Sequence, residues 1–246
     1  MNDRKRAVRY GISFVILAVL LIFLFIWNVN SGSIHLSVQE ILNIIFRHQG
    51  DETSYNIVWE IRLPRILAVI ILGGALSVSG FLLQTFFNNP IAGPFVLGIS
   101  SGAKLIVAFL MIFLLSRSVS IGSGAMILSA FAGSMISMGF VLLVAKKVHN
   151  MSMLVISGVM IGYICSAITD FVVTFADDSN IVNLHNWSLG SFSGTSWDNV
   201  SVMAVVVFAA LFLTFLMSKP ISAYQLGEGY AQNMGVNIKA FSIALR

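Results

Sequence analysis

The stretch RLPRILAVIILGGALSVSGFLLQTFFNNPIAGPFVLGISSGA, residues 62–103, decides the fold of this chain. Its residues from Ile66 to Phe87 carry no charge. At about 1.5 Å per residue this run is long enough to cross a bilayer core of about 30 Å as a helix. Two arginines precede the run, and a turn-forming Asn-Pro pair follows it. The stretch therefore predicts a membrane helix with a polar motif at each end.

The composition of the whole chain is that of a membrane protein. Of its 246 residues 57% are hydrophobic and 10% are charged, whereas soluble domains carry about 25% charged residues. The apolar runs are continuous, while a membrane barrel would show segments of about ten alternating residues. We predict an all-α integral membrane protein, a polytopic helical bundle that forms one transmembrane domain over residues 1–246. Its expected spans are residues 10–30, 66–87, 94–115, 123–145, 153–175 and 200–217.

The positive charges indicate how the helices are oriented. The net charge is +4, and basic residues precede the first span and follow the fourth and the sixth. If the spans alternate, these places lie on one side, which the positive-inside rule makes cytoplasmic. We therefore expect a multi-pass protein with a cytoplasmic N-terminus, and no nucleic-acid partner. The residues concerned are Arg4, Lys5, Arg6, Arg9, Lys146, Lys147 and Lys219.

Between the first two spans, residues 37–48 read SVQEILNIIFRH. Ser37 and Glu40 have the spacing of a capping box. Val38, Ile41, Leu42 and Ile45 would share one helical face. The segment predicts a short amphipathic helix.

The sequence contains no pattern for catalysis or for metal binding. There is no G-x-x-x-x-G-K-[ST] loop for phosphates and no H-E-x-x-H, and Cys165 is the single cysteine. The histidines are scattered over predicted loops. We expect no catalytic residue, no cofactor and no metal ion held by the protein itself.

Two motifs together indicate a family. The first is R-L-P-R, then a Gly/Ala/Ser-rich helix that ends in L-Q, then N-P-[LI]-A-x-P-x-x-L-G-I-S-x-G-A, and it includes Gln84, Asn89, Pro90 and Pro94. The second is L-G-E-x-x-A-x-x-[LM]-G at residues 226–235. Both resemble FecCD-type permeases of bacterial ABC importers for iron chelates, haem and cobalamin, and the likeness covers essentially the whole chain.

The resemblance implies a role for the second motif. Residues 219–239 would form a cytoplasmic coupling loop that seats in a groove of an ATP-binding subunit. A short helix flanked by glycines suits this role, because glycine allows the sharp backbone turns at its ends. The alternative is a plain cytoplasmic connector. The motif residues are Leu226, Gly227, Glu228, Ala231 and Gly235.

The resemblance also implies a role for Arg62 and Arg65. They match arginines that face outward and pair with glutamates on a substrate-binding protein. Guanidinium groups form bidentate pairs with carboxylates and steer docking. The alternative is that they only anchor the second membrane helix at the interface.

Small residues mark the helices that pack closely or line the transport pathway. In a bilayer, where lipid provides no hydrophobic drive, small residues let helix backbones approach each other. We expect packing, a pathway role or both, with Asn89, Pro90 and Pro94 forming the motif turn. The helix residues are Gly73, Gly74, Ser77, Gly80, Gln84, Gly158 and Gly162.

By resemblance, the chain is the permease subunit of a binding-protein-dependent importer in the bacterial cytoplasmic membrane. Its expected cargo is an iron(III)-siderophore, with haem or cobalamin as alternatives. Its expected partners are a second permease subunit (identical or related), ATP-binding subunits that hydrolyse ATP, a substrate-binding protein or lipoprotein outside, and the lipid bilayer.

The family subunit has ten helices, and we expect this chain to be the N-terminal part of such a permease. The rival interpretations are a self-contained secondary transporter and a non-transporting membrane scaffold. Lys104 and Asp170 are the ionisable residues that lie within the predicted spans. Interfacial placement explains them better than an ion relay does.

Overall fold

The computed structural model describes residues 3–32, 34, 36–115, 123–145 and 151–237, and every regular element in these ranges is helical. The predicted class, an all-α polytopic membrane protein, is confirmed. The helices are α1 (Asp3–Asn30), α2 (Val38–Arg47), α3 (Glu52–Asn56), a π-helical segment (Ile57–Arg62) that joins α3 to α4 (Leu63–Phe87), α5 (Ile99–Leu115), α6 (Ser123–Ala145), α7 (Met151–Val173), α8 (Asp178–Leu189), α9 (Trp197–Leu216), α10 (Ser218–Gln225) and α11 (Glu228–Asn233).

Five helices in the described ranges are long and apolar enough to cross a membrane, judged by length and composition. They are Arg4–Asn30, Glu52–Phe87, Gly124–Val144, Met153–Val173 and Trp197–Leu216. The predicted span 94–115 differs, because turns occupy residues 94–98 and α5 begins only at Ile99. The apolar part of α5, Ile99–Phe113, is shorter than the five long helices.

The contacts between Cα atoms divide the chain into two compact units. Unit 1 comprises Met1–Gly74 and Phe192–Ala209, and unit 2 comprises Ala75–Ser191 and Ala210–Arg246. The single transmembrane domain over residues 1–246 stays a prediction.

Unit 1 has its core where the end of α1 meets α2 and the helix that leads into α4. Ser37 caps α2, since its Oγ accepts a hydrogen bond from the Glu40 amide at 3.2 Å. This confirms the predicted amphipathic helix. Its buried face differs from the predicted one, because Ile44 is fully buried while Leu42 is 48% exposed. The core residues are Val29, Leu36, Ile41, Ile44, Val58, Leu63 and Ile66.

A group of aromatic rings closes the same core. The Trp59 ring lies 5.4 Å from that of Trp197 and 4.6 Å from that of His48, measured between centroids. The Trp197 indole also donates a hydrogen bond to the Trp59 carbonyl oxygen at 2.9 Å. These contacts attach the beginning of α9 to the π-helical segment.

Unit 2 is organised around α5, which packs against both α6 and α7. Its contact with α7 is between backbones. Gly98 has a φ of +71°, and a Cβ atom placed there would lie 2.7 Å from the Gly158 carbonyl oxygen and 2.7 Å from the Gly162 nitrogen. On the α6 side, the buried Ser137 hydroxyl donates a hydrogen bond to the Gly98 carbonyl oxygen at 2.9 Å. The start of α5 is therefore fixed by two neighbouring helices.

This crossing predicts that Gly98→Ala destabilises the protein. Overpacking of a close contact costs about 1–3 kcal/mol, and a left-handed conformation costs an L-residue about 1–2 kcal/mol more. Thermal unfolding of the purified chain, followed with a thiol-reactive fluorophore that reports exposure of Cys165, measures the effect.

Gly93→Ala is the matched control, because nothing lies within 4 Å of a Cβ at this position in the same turn region. Its unfolding temperature should stay close to that of the wild type. Equal unfolding temperatures for the two variants would contradict the close backbone contact at Gly98.

Candidate functional site

The segment that carries the second motif folds as two short helices. Met217 separates α9 from α10, which covers Ser218–Gln225. Gly227 with φ +112° and Gly235 with φ +83° then flank α11. The predicted short helix between two glycines is confirmed in its geometry.

The α10–α11 segment has a buried side and an exposed side. Ile221 and Tyr224 pack on Leu82 and Met217, and Ala231 is fully buried. The side chain of Glu228 lies outside the described residues. Three large apolar side chains are exposed, namely Leu226 (68%), Tyr230 (50%) and Met234 (62%).

The two sides separate the motif residues by what they touch. Ala231 is fully buried, whereas Leu226 is exposed. No role was predicted from the sequence for Tyr230, or for Met234 at the [LM] position of the second motif. Their spacing of four residues places them on the same side of a helix. Together with Ser218, Lys219, Ser222 and Ala223, these exposed residues line an open depression of about 400 Å³.

One hydrogen bond joins this segment to the end of α4. The Gln225 Nε2 donates to the Thr85 Oγ1 at 3.1 Å, and Thr85 is 7% exposed. The two residues are 140 positions apart in the chain. Neither belongs to the motif residues that the sequence argument selected, and no spacing pattern in the sequence points to the pair.

The first motif forms the expected turn after α4. Asn88 ends the helix in a left-handed conformation with φ 44°. The Asn89 Oδ1 accepts a hydrogen bond from the Ile91 amide at 3.0 Å, and the Gln84 Nε2 donates to the Pro90 carbonyl oxygen at 3.1 Å. Pro94 follows half-buried and begins the turns that lead into α5. Gln84 therefore lies in α4, and its side chain is hydrogen-bonded to the turn that follows.

The small residues of α4 and α7 have different environments. Gly158 and Gly162 of α7 are buried at the crossing with α5. By contrast, a Cβ placed at Gly73, Gly74 or Gly80 of α4 would meet nothing within 4 Å among the described residues. The expectation of packing therefore fits the α7 pair, and the small-residue face of α4 lies open in this structure.

Arg62 lies inside the protein, and its predicted position on the outer side of the membrane and its docking role stay predictions. It is 9% exposed, and its guanidinium donates to the Val29 carbonyl oxygen at 2.6 Å and to the Ile34 carbonyl oxygen at 2.9 Å. Val29 lies in the last turn of α1, where carbonyl groups have no partner within the helix and the helix dipole is negative. Arg62 thus caps α1.

Arg65 has weaker contacts. Its Nη2 lies 3.5 Å from the Ser193 carbonyl oxygen, at the limit of a hydrogen bond. Its Nε is buried and has no hydrogen-bond partner in the part of the chain that the structure describes. The two arginines of the first motif therefore differ, since Arg62 is fully engaged and Arg65 is not.

The residues of the two motifs can form apolar contacts and hydrogen bonds. Among the residues that the structure describes, no group of three or more His, Cys, Asp or Glu side chains is placed to hold a metal ion. Long apolar helices with exposed large hydrophobic side chains, such as Phe14 of α1 and Val205 of α9, define an integral membrane protein of the polytopic helical class.

The chain belongs to the FecCD transport family, whose profile matches residues 20–245. The predicted family is thereby confirmed. The chain is 29% identical over 230 residues to the hemin transport system permease protein HmuU of Yersinia pestis, covering 93% of this chain and 68% of that protein. It is 36% identical over 179 residues to the vitamin B12 import system permease protein BtuC of Klebsiella pneumoniae.

The match to BtuC covers 73% of this chain and 53% of that protein, so the chain spans about half of the length of this relative. A solved structure described as a metal-chelate type ABC transporter in an inward-facing conformation has the same fold, with a TM-score of 0.77. That match covers 93% of this chain and 69% of the other chain at 22% sequence identity.

The contacts of Arg62 predict that Arg62→Gln lowers the stability of the protein. Hydrogen bonds from a charged group contribute about 1.5–3 kcal/mol, and the substitution leaves the Val29 and Ile34 carbonyl groups without this donor. The unfolding temperature of Arg62→Gln, followed through the exposure of Cys165, should be clearly lower than that of the wild type.

Arg47→Gln is the matched control, because Arg47 is an exposed arginine in α2. Exposed substitutions usually change stability by no more than about 0.5 kcal/mol. If Arg62→Gln were as stable as Arg47→Gln, the capping role of Arg62 would be wrong.

Proposed function

We propose that this chain is the permease subunit of a binding-protein-dependent ABC importer that moves a metal chelate into the cell. The observation that carries the proposal is the family match over residues 20–245. The α10–α11 segment supports it, because this segment leaves a compact apolar surface uncovered at the place where the family motif predicts a partner. The chain does not itself hydrolyse ATP in this proposal.

The ATP-binding subunit would bind the α10–α11 segment on the cytoplasmic side. The positive-inside rule supports this orientation, since Arg4, Lys5, Arg6 and Arg9 lie at the start of α1 and Lys219 lies in α10. Lys146 and Lys147, also expected on that side, lie outside the described residues. Exposed Leu226, Tyr230 and Met234 would supply the apolar contact, and aromatic and Met side chains are enriched in protein interfaces.

Motion of this segment would reach α4 through the hydrogen bond between Gln225 and Thr85. This bond is a polar contact between the end of α10 and the last turns of α4. Packing of Ile221 and Tyr224 on Leu82 adds an apolar contact in the same place. The open small-residue face of α4, with Gly73, Gly74, Ser77 and Gly80, would then meet a second permease subunit or line the pathway.

On the opposite side, the substrate-binding protein would dock near the start of α4. Arg65 is the arginine of the first motif that could pair with a carboxylate from outside, because Arg62 already donates to backbone carbonyl groups. An exposed pair of this kind contributes about 0–1 kcal/mol and acts mainly on the association rate. Docking in this proposal therefore needs further contacts.

The cargo would be a large metal chelate. Two relatives are named for hemin and for vitamin B12, and both of these compounds are metal complexes of a macrocycle. The iron(III)-siderophore predicted from the family is also a metal chelate. In each case the chelator would hold the metal, and the permease would supply the pathway.

Uptake into proteoliposomes tests the proposal. The full chain is reconstituted with the ATP-binding subunit and the binding protein of the same organism. Uptake of labelled ferric siderophore, hemin and cobalamin is then compared. We expect ATP-dependent uptake of one of them and none when the ATP-binding subunit is omitted. Uptake that persists without this subunit would instead indicate a secondary transporter, and no uptake of any chelate would leave a scaffold.

In the same assay, Gln225→Leu should reduce uptake about fivefold, the factor that corresponds to the loss of about 1 kcal/mol from one hydrogen bond. ATP hydrolysis should persist, because the partner performs it. Ser188→Ala is the control, since the exposed Ser188 hydroxyl bonds to the His185 carbonyl oxygen within α8, away from the α10–α11 segment. Equal uptake by Gln225→Leu and Ser188→Ala would remove Gln225 from the coupling path.

A further inference from the structure

Unit 1 contains an apolar groove between α1 and α4. Its volume is about 560 Å³, within the range of about 300–1,000 Å³ that small-molecule sites occupy. Leucines of α1 form one wall and branched aliphatic residues of α4 form the other, among them Leu17, Leu21, Ile66, Val69 and Ile70. The groove is therefore lined for a hydrocarbon chain.

The polar residues of the groove lie at one end. Asn28, near the end of α1, and Arg65, near the start of α4, line this end together with Trp27. Leu17, at the far end on α1, lies eleven residues before Asn28, which corresponds to about 17 Å of helix. This length is close to one leaflet of a bilayer core of about 30 Å. The groove thus runs from a membrane surface toward the midplane.

Arg65 brings an unsatisfied positive charge to the polar end. A guanidinium group has five N–H donors. Among the described residues this one has a single bond, at 3.5 Å to the Ser193 carbonyl oxygen, and its buried Nε has no partner there. Of the described residues that line the groove, Arg65 is the charged one, and no carboxylate is among them. Arg65 is half-buried, and a half-buried guanidinium with a single weak contact among the described residues favours an anion as a further partner.

We propose that this groove binds an anionic glycerophospholipid, with the phosphate on the Arg65 guanidinium and one acyl chain between α1 and α4. Phosphate matches the guanidinium fork and accepts two N–H donors at once. The acyl chain matches the length and the lining of the groove. An ammonium headgroup would find no carboxylate among the lining residues, which favours an anionic lipid over a zwitterionic one.

Lipid binding does not depend on the transport function. The phosphate of the lipid and a carboxylate of a docked binding protein would be alternative anions for the same guanidinium. The experiment therefore uses the isolated chain without its binding protein, and its readout is lipid contact instead of uptake. A failed docking experiment would leave this proposal intact, and the reverse also holds.

Fluorescence quenching by brominated lipids tests the proposal on the wild-type chain. Trp27 lines the polar end of the groove, and a bromine on the acyl chain of a bound lipid would quench it. Brominated phosphatidylglycerol and brominated diacylglycerol with the same chains are titrated into the chain in detergent. We expect saturable quenching at a mole fraction about tenfold lower for phosphatidylglycerol, the preference that one charge-assisted hydrogen bond gives.

Three variants complete the design. Trp27→Phe should remove the saturable quenching, Arg65→Gln should abolish the preference for phosphatidylglycerol, and Arg47→Gln should keep it. Equal titrations of the two lipids with the wild-type chain would overturn the proposal, and this comparison decides even if Arg65→Gln fails to fold. A preference for phosphatidylglycerol that is retained in Arg65→Gln would also overturn the proposal. So would the absence of saturable quenching in the wild-type chain, the result expected if a second copy of the chain covers the groove.

Discussion

The approach of α5 to α7 at Gly98 is the contact on which unit 2 depends. In a membrane, apolar side chains gain little by leaving lipid for a helix interface, so helices associate where their backbones can come close. At this crossing glycines on both helices remove the side chains that would keep them apart, and Ser137 attaches α6 to the same peptide group. The family motif L-G-I-S-S-G-A at residues 97–103 therefore has a packing role in this structure.

Polar side chains in this protein are used at helix ends. Arg62 donates to a carbonyl group of the last turn of α1, Gln84 donates to the Pro90 carbonyl oxygen after α4, and Gln225 at the end of α10 donates to Thr85. The Val29 carbonyl group that Arg62 reaches lies in the last turn of α1, where backbone groups lack partners within the helix and leaving them unsatisfied is costly in an apolar environment. The Arg62 and Gln225 bonds join residues that are 33 and 140 positions apart in the chain, each inside one unit.

The features that the sequence could predict are those that depend on local pattern. The apolar run from Ile66 to Phe87 is sufficient to predict a membrane helix, the Asn-Pro pair predicts the turn after it, and two glycines predict the limits of α11. Even there the local pattern has a limit. Pro94 and the left-handed Gly98 delay the start of α5 to Ile99, although the apolar residues begin earlier.

The remaining features depend on which surfaces meet. The glycines of α4 and α7 look alike in the sequence, but those of α7 are buried against α5 while Gly73, Gly74 and Gly80 lie open. Arg62 and Arg65 are three residues apart in one motif, but Arg62 donates to two backbone carbonyl groups at 2.6 and 2.9 Å, whereas Arg65 has one contact of 3.5 Å with the Ser193 carbonyl oxygen. The pairing of Gln225 with Thr85 could not be predicted, because it joins residues 140 positions apart without a repeating pattern.

In the proposed importer, the exposed side of the α10–α11 segment would bind an ATP-binding subunit. Site-directed cross-linking can test this contact, with single cysteines placed in the full chain in a Cys165→Ala background and with the ATP-binding subunit present. Tyr230→Cys and Met234→Cys should cross-link to that subunit, whereas Tyr224→Cys should not, since Tyr224 is only 6% exposed. If positions 230 and 234 gave no cross-link in a folded complex, or if position 224 gave an equally strong one, the exposed side of the α10–α11 segment would not be the binding surface for that subunit.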